Sequence, residues 1–377
     1  MIGNLDTAIL QQLWWILGAV VGSLFLFLNF VQGGQTLLWQ VGKDETEKSL
    51  IINSLGTKWE LTFTTLVLFG GALFAAFPKF YATSFGGAYW VWIIILFTFV
   101  IQAVSYEYRK KPGNLLGAGV YELFMFINGS LGILLIGAAV GTFFTGSNFV
   151  LNGYNQVTWT SPLRGLEAAF SLFNLSFGLF LVFNARVLGA MYLVNNIDFA
   201  GMAEFESRMR KACVTNLVCA LPFLLYILVS LLLMSGFGVD ENGVVSMVTR
   251  KYLANLLAMP IVAGLLLTGL AGVILGVYLT GFTKSDKGIW FGGLGTVLVG
   301  LAVFFLAGFN GTAFYPSKAD LQSSLTIYNA SSSHFTLTCM TYVAMVIPLV
   351  LAYIAYVWYL MNAKKLSVTD IIGKKAY

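Results

Sequence analysis

Nine stretches of this chain are almost entirely apolar. Each is close to the roughly 20 residues that a helix needs to cross a bilayer core of about 30 Å, whereas the strands of a membrane β-barrel are shorter and alternate in polarity. The predicted spans are 10–30, 59–77, 86–104, 123–144, 166–193, 214–234, 256–279, 289–309 and 337–360. A continuation of the first helix to Leu38 stays open. The sequence therefore predicts an all-α polytopic membrane protein. We expect a single membrane domain of nine transmembrane helices, arranged as two four-helix bundles plus one peripheral helix.

The scarcity of charged residues supports this prediction. Of 377 residues, 58% are apolar and 10% are charged, whereas soluble domains average about 45–50% apolar and about 25% charged residues. The composition therefore excludes a soluble globular domain. It also leaves no surplus of basic residues for binding nucleic acid, so we expect no nucleic-acid partner.

The basic residues predict the orientation of the chain. Sixteen of the 21 lie in one set of loops and adjoining span ends, and Lys374 and Lys375 belong to that set. Because basic residues favour the cytoplasmic side, the C-terminus is predicted inside and the N-terminus outside a bacterial cytoplasmic (inner) membrane. In the same set of loops, residues 195–211 mix apolar and charged side chains, which predicts an amphipathic helix lying in the interface.

Few side chains in the sequence suit a metal site. His334 is the single histidine, and Cys213, Cys219 and Cys339 do not form a cluster. A zinc site normally needs about three or four ligands, and a haem iron needs an axial His, Met, Cys or Tyr. We therefore expect no metal site, no bound haem and no catalytic residue on this chain.

Carboxylates at the ends of spans are the candidates for chemistry, because an ionisable group is costly to keep in a membrane. Glu60 follows Trp59 at the start of the second predicted span, and Glu122 lies at the start of the fourth. We predict a proton-transfer role for Trp59, Glu60 and Glu122. Judged from the residues alone, proton uptake and simple anchoring among the headgroups both remain open. For Glu167, at the outer end of the fifth predicted span, anchoring is favoured.

Several blocks of sequence resemble one known family. Residues 42–48 and the pair Trp59-Glu60 resemble the first cytoplasmic loop and the start of the second span in the second subunit of cytochrome bd-type quinol oxidases. Residues 106–109 are similar to that family's aromatic-acid-Tyr-Arg cluster, and residues 329–333 resemble its loop before the ninth span. The likeness covers nearly the whole chain.

The resemblance implies a function. The chain would be the haem-free second subunit of a quinol:oxygen oxidoreductase complex that couples quinol oxidation to the reduction of dioxygen to water. The partner, subunit I, would carry haem b and haem d, and this chain would support it and contribute a proton-uptake path from the cytoplasm. Small single-span subunits, membrane lipid and quinone are further expected partners. The resemblance leaves the cofactor-binding residues of this chain unknown.

The resemblance also assigns individual positions. Family acids fall on Glu60 and Glu122, whereas two other acids of the family fall on Asn29 and Gln32, which cannot hold a proton or a charge. Two alternatives stay open: a polytopic secondary transporter, and a purely structural membrane subunit. A transporter would place internal charges near the middle of the membrane, whereas the carboxylates here lie at span ends.

Overall fold

A computed structural model describes residues 2–371, which are mostly helical. The first nine α-helices are α1 (Thr7–Leu28), α2 (Phe30–Thr36), α3 (Leu38–Val41), α4 (Glu45–Gly56), α5 (Trp59–Ala76), α6 (Pro78–Tyr81), α7 (Tyr89–Tyr108), α8 (Ala118–Ile127) and α9 (Ile133–Thr145). The remaining α-helices are α10 (Leu172–Asn196), α11 (Ala203–Leu233), α12 (Lys251–Ala258), α13 (Pro260–Phe282), α14 (Gly288–Gly308), α15 (His334–Ala344), α16 (Ile347–Met361) and α17 (Val368–Ile371).

Short elements complete the described chain. Turns of 3-10 helix lie at Ile2–Asn4, Leu166–Phe170 and Leu321–Ser323, and π-helical turns lie at Ala82–Gly86 and Asn128–Gly132. Two antiparallel hairpins pair β1 (Phe149–Leu151) with β2 (Val157–Trp159) and β3 (Gly236–Val239) with β4 (Val245–Val248). Neither hairpin forms a larger sheet, so the chain is all-α in class.

Within residues 2–371, nine helical segments are long and apolar enough to cross a membrane, which confirms the predicted number. Spans 1 to 9 are Thr7–Thr36, Glu45–Ala76, Tyr89–Tyr108, Ala118–Thr145, Leu172–Asn196, Ala203–Leu233, Pro260–Phe282, Gly288–Gly308 and His334–Met361. The grouping into two four-helix bundles and the single-domain organisation stay predictions.

Several span boundaries differ from the prediction, and so does one predicted helix. The seventh span begins at Pro260 and not at residue 256, because proline lacks an N–H and fits the first turn of a helix. The predicted interfacial helix at 195–211 is wrong, since residues 203–211 form the first turns of α11, the helix of span 6. Its Phe205 and Met209 are buried against this chain, so the apolar face of that segment belongs to the core.

Span 5 lies at the centre of the packing. Helix α10 buries most of its length and packs on α2, α9, α11 and α14. Its contact with α2 is closest at Gly33, where a Cβ atom would overlap the backbone carbonyl of Ala185. A Cβ on Gly189 of α10 would in turn overlap the backbone of Gly34. Small residues therefore allow these two helix backbones to approach each other closely.

The two ends of the helix bundle differ in charge. We call the end formed by residues 37–58, 109–117, 197–211, 283–287 and 362–371 the basic end, because it carries most of the described lysines and arginines. Residues 2–6 and the two hairpins lie at the opposite end. Lys374 and Lys375, which the sequence assigns to the basic set, lie outside the described residues.

Span 9 is attached to the rest of the fold at both ends. At the opposite end, the Ser332 amide donates to the carbonyl of Ala76 at 2.8 Å, and an imidazole nitrogen of His334 lies 3.0 Å from the Leu5 carbonyl. At the basic end, the Leu366 amide donates to the carbonyl of Asn196 at 2.8 Å. Between these attachments, α16 has no fully buried residue; Trp358 packs on Phe30 and Tyr192, and most of the remaining surface is free for lipid or another chain.

Candidate functional site

Buried polar side chains from three spans meet in the half of the bundle nearest the basic end. Span 1 contributes side chains three residues apart, and span 3 contributes them three or four residues apart, so each set lies on one helix face. We call this set the polar network: Gln32, Gln35, Thr98, Gln102, Tyr106, Arg109, Glu122 and Asn128. All eight are at most 4% exposed.

Glu122 has a partner on each carboxylate oxygen. Oε1 accepts hydrogen bonds from Nη2 of Arg109 at 2.7 Å and from its Nε at 3.1 Å. Oε2 accepts from Nζ of Lys48 at 2.9 Å and from the indole nitrogen of Trp39 at 2.9 Å. The Glu122 side chain is 4% exposed and that of Arg109 is 0% exposed. The carboxylate is thus held, away from solvent, by two cations on different segments.

Arg109 also connects the polar network to solvent. Its Nη2 donates to both carboxylate oxygens of Glu45, at 2.7 and 3.0 Å, and the Glu45 side chain is 64% exposed. The neighbouring Lys110 experiences the same charges. Burial and the positive charge of Arg109 lower the pKa of Lys110, while Glu45 acts in the opposite direction. Arg109 thus bonds at the same time to the buried carboxylate of Glu122 and to the exposed carboxylate of Glu45.

Deeper in the membrane the polar network is uncharged. The Tyr106 hydroxyl donates to Oε1 of Gln35 at 3.1 Å, and Nε2 of Gln35 donates to Oδ1 of Asn128 at 3.0 Å. Asn128 begins a π-helical turn and donates through Nδ2 to the Thr98 hydroxyl at 3.2 Å. Such turns within α-helices often occur at functional sites. Neutral amides and hydroxyls can orient water here, but they cannot store a charge.

Asn29 and Gln32, the two positions at which the resemblance places acids, lie at the end of this uncharged part that is deepest in the membrane. Gln32 donates through Nε2 to Oε1 of Gln102 at 3.2 Å. Both side-chain polar atoms of Asn29, as well as Oε1 of Gln32 and Nε2 of Gln102, are buried without a hydrogen-bond partner among the described residues. An amide costs less to bury than a carboxylate does. The two substitutions therefore keep polarity at this depth without a charge.

The structure separates Trp59 from Glu60. The Trp59 ring is half-buried and stacks on Tyr106, with centroids 6.0 Å apart and planes at 5°. Glu60 lies in the first turn of α5, where its side chain is exposed and forms no hydrogen bond or ion pair with residues 2–371. Glu122 belongs to the polar network and Trp59 touches it, whereas no described bond links Glu60 to it.

Sequence reasoning missed several members of this site. Lys48 and Arg109 hold Glu122, Glu45 pairs with Arg109, and the amides of Gln35 and Asn128 extend the site inward. The available signal was a recurrence of polar residues at helical spacing within otherwise apolar spans. No spacing within one helix shows which spans become neighbours.

Metal-ligating side chains are dispersed. No group of three or more His, Cys, Asp or Glu that could hold a metal ion occurs in the part of the chain that the structure describes. His334 lies at the end opposite the polar network, where its imidazole contacts the Leu5 carbonyl. The donor set around the polar network consists of carboxylates, amides and hydroxyls, and it contains no imidazole.

Comparison with known proteins identifies the family. The model of the family "Cytochrome bd terminal oxidase subunit II" matches residues 10–361. The chain belongs to this family. It is 28% identical to cytochrome bd-I ubiquinol oxidase subunit 2 of Escherichia coli (strain K12), over 95% of each chain, and 27% identical to a probable cytochrome oxidase subunit 2 of Haemophilus influenzae, over 93% of each. The structure of bd oxidase from Geobacillus thermodenitrificans matches 94% of this chain and 99% of that chain with a TM-score of 0.66 at 16% identity.

Membership in the cytochrome bd terminal oxidase subunit II family confirms the predicted family and the coarse function. The chain is part of a cytochrome bd quinol oxidase complex, an oxidoreductase of respiratory electron transport, which is consistent with haems in the complex. The name subunit II implies a partner subunit I. The family and the nine apolar helices of residues 2–371 also make the chain a multi-pass protein of the inner membrane.

Proposed function

We propose that this chain is the haem-free second subunit of the oxidase and that its polar network contributes a path for protons from the cytoplasm towards haem-bearing subunit I. The observation that carries the proposal is the buried carboxylate of Glu122, linked to solvent-exposed Glu45 through Arg109. Buried ionisable groups connected to the surface of a membrane protein are typical of proton relays. In this proposal the basic end faces the cytoplasm, as the positive-inside rule predicts.

The contacts suggest how protons would move. Glu45 is exposed and can take up a proton, and Glu122 can receive one on Oε2, where it would weaken the bonds from Lys48 and Trp39. Beyond Glu122, the hydroxyl of Tyr106 lies one helical turn from Arg109 and donates to Gln35. A water molecule between Arg109 and Tyr106 would connect the two parts.

Partner and ligand roles follow from the same proposal. Subunit I would carry haem b and haem d and would oxidise quinol, while this chain would supply its packing surface. Small single-span subunits, quinone and lipid would complete the assembly. The purely structural alternative is supported by the exposure of Glu60 and by the complete ion pairing of Glu122. Family membership argues against the secondary transporter.

Replacing Glu60 with glutamine tests whether Glu60 takes part in the proton path. Glutamine matches glutamate in size but cannot release a proton, so Glu60→Gln should assemble with its haems intact. Oxygen reduction should slow roughly tenfold to 100-fold, at or below the lower end of what a positioned proton-transfer group contributes. Glu60→Asp should retain much of the rate. Oxygen consumption and the visible spectrum of the purified complex measure both properties.

A matched control comes from Glu107, an exposed glutamate paired only with Lys111 at 3.5 Å. Glu107→Gln should leave the rate unchanged, and Glu122→Gln should lower it. If Glu60→Gln turns over at the parent rate with normal haem content, Glu60 is an interfacial anchor, and if Glu122→Gln does so as well, the proton path lies in subunit I.

The haem-free assignment has its own test. His334→Ala removes the single histidine of the chain, and it removes a contact to the Leu5 carbonyl rather than any member of the polar network. The absorption spectrum of the purified complex should therefore be unchanged. A lost or shifted haem band in a complex that still assembles would mean that this chain ligates haem.

A further inference from the structure

A polar cavity lies at the end of the bundle opposite the polar network. Its volume is about 140 Å³, which is room for roughly ten water molecules when each needs about 10–15 Å³. Spans 4 and 5 border it, and its lining includes Ser147, Trp159, Glu167, Ser171, Asn174 and Lys318. Nothing in the proposed proton path uses this cavity.

Two opposite charges line the cavity without pairing with each other. Oε2 of Glu167 accepts a hydrogen bond from the Gly165 amide at 2.8 Å, but its Oε1 is buried with no partner among the described residues. The Lys318 ammonium forms no hydrogen bond or ion pair with any residue in 2–371. Burial lowers the pKa of Lys318, and the negative charge of Glu167 opposes that shift. The two charges therefore act on each other through space, while neither forms an ion pair with a residue in 2–371.

The cavity lies at the depth of lipid headgroups. Helix α9 ends at Thr145 and α10 begins at Leu172, so the cavity occupies the level at which both spans leave the apolar core. Phe170 and Leu172, on either side of Ser171, are 79% and 64% exposed. A molecule in the cavity would thus meet polar groups at one end and an apolar surface beside it.

We propose that this cavity binds the headgroup of a phosphatidylethanolamine molecule. The primary ammonium of the lipid pairs with the carboxylate of Glu167, the phosphate pairs with Lys318, and an acyl chain lies against Phe170 and Leu172. An anionic lipid without an ammonium would be repelled by Glu167. A choline headgroup has no N–H to donate to this carboxylate, so the site selects a zwitterion with a primary amine.

Lipid binding to the purified complex tests the proposal. The complex is placed in nanodiscs containing equal parts of phosphatidylethanolamine, phosphatidylglycerol and phosphatidylcholine, and the retained lipid is identified by native mass spectrometry. Phosphatidylethanolamine should be retained roughly tenfold over each of the others, the ratio that about 1.4 kcal/mol produces. Glu167→Gln should abolish the preference over phosphatidylglycerol, and Lys318→Met should reduce retention of both lipids.

Glu241→Gln and Lys79→Met are matched controls, because they change charge at the same end without lining the cavity. Both should keep the parent preference. Equal lipid retention by the parent complex and Glu167→Gln would overturn the proposal. A second measurement needs no variant: stepwise N-methylation of the lipid amine should lower retention as N–H donors are lost. Equal retention across that series would also overturn the proposal.

Discussion

Replacing Arg109 with methionine is expected to destabilise the protein by about 3–5 kcal/mol, the usual cost of removing one partner of a buried ion pair. The guanidinium is fully buried and binds Glu122 through two nitrogens. Without it, Glu122 keeps only Lys48 and Trp39 as partners, and Glu45 loses its link to the interior. The midpoint of thermal unfolding of the purified complex should fall accordingly.

The double variant Arg109→Met/Glu122→Met distinguishes two causes of the destabilisation: an unpaired buried charge and a lost contact. Because it leaves no buried carboxylate at the site, it should recover most of the stability that Arg109→Met loses. Lys111→Met is the control, since its pair with Glu107 is exposed and should contribute less than about 1 kcal/mol. A double variant as unstable as Arg109→Met would show that uncompensated charge is not the cause.

Replacing Gly33 with alanine should prevent normal assembly. The added methyl group would overlap the carbonyl group of Ala185 on α10. The obstacle is backbone rather than a flexible side chain, so the two helices would have to separate. Overpacking a well-packed core typically costs about 1–3 kcal/mol, and displacement of the central span should exceed that range. The yield of assembled complex after size-exclusion chromatography, together with its thermal midpoint, measures the effect.

Gly71 provides the matched control for this experiment. It also lies within a membrane span, but a Cβ atom there would meet nothing within 4 Å. Gly71→Ala should therefore assemble normally and be as stable as the parent or slightly more so, because alanine favours a helix over glycine. If Gly33→Ala assembled at the parent yield and unfolded at the parent temperature, the close approach of α2 and α10 would be incorrect.

Hydropathy predicts the spans well because each must be apolar along most of its length. It predicts their ends less well, since residues at the ends can face protein rather than lipid. The first span is predicted as 10–30 with a continuation of the helix to Leu38 left open, and α2 does continue the helix, as far as Thr36, with buried Gln32 and Gln35. Those glutamines lower the local hydropathy, but they are covered by spans 3 and 4. Protein neighbours, which a single sequence does not reveal, thus decide how far the helix extends.

The same limit explains the mixed outcome at the candidate site. An acid at the start of a span predicts the same role for Glu60 and Glu122, but burial distinguishes them. Glu122 is enclosed because Arg109 and Lys48 come from other segments, and Glu60 is exposed in this chain. The prediction for residues 195–211 was wrong for a related reason. An amphipathic sequence pattern is the same whether the apolar face of the helix meets lipid or protein.

The attachment of span 9 at both ends fixes its geometry against the bilayer. A free helix accommodates a thicker or thinner membrane by changing its tilt, at a cost of fractions of a kcal/mol per Å of mismatch. Here the bonds from Ser332 to Ala76 and from Leu366 to Asn196 join both ends to neighbouring segments. Changing the tilt would break one of these attachments. The surrounding lipid must therefore stretch or compress instead, so span 9 sets the local thickness of the membrane at this edge of the protein.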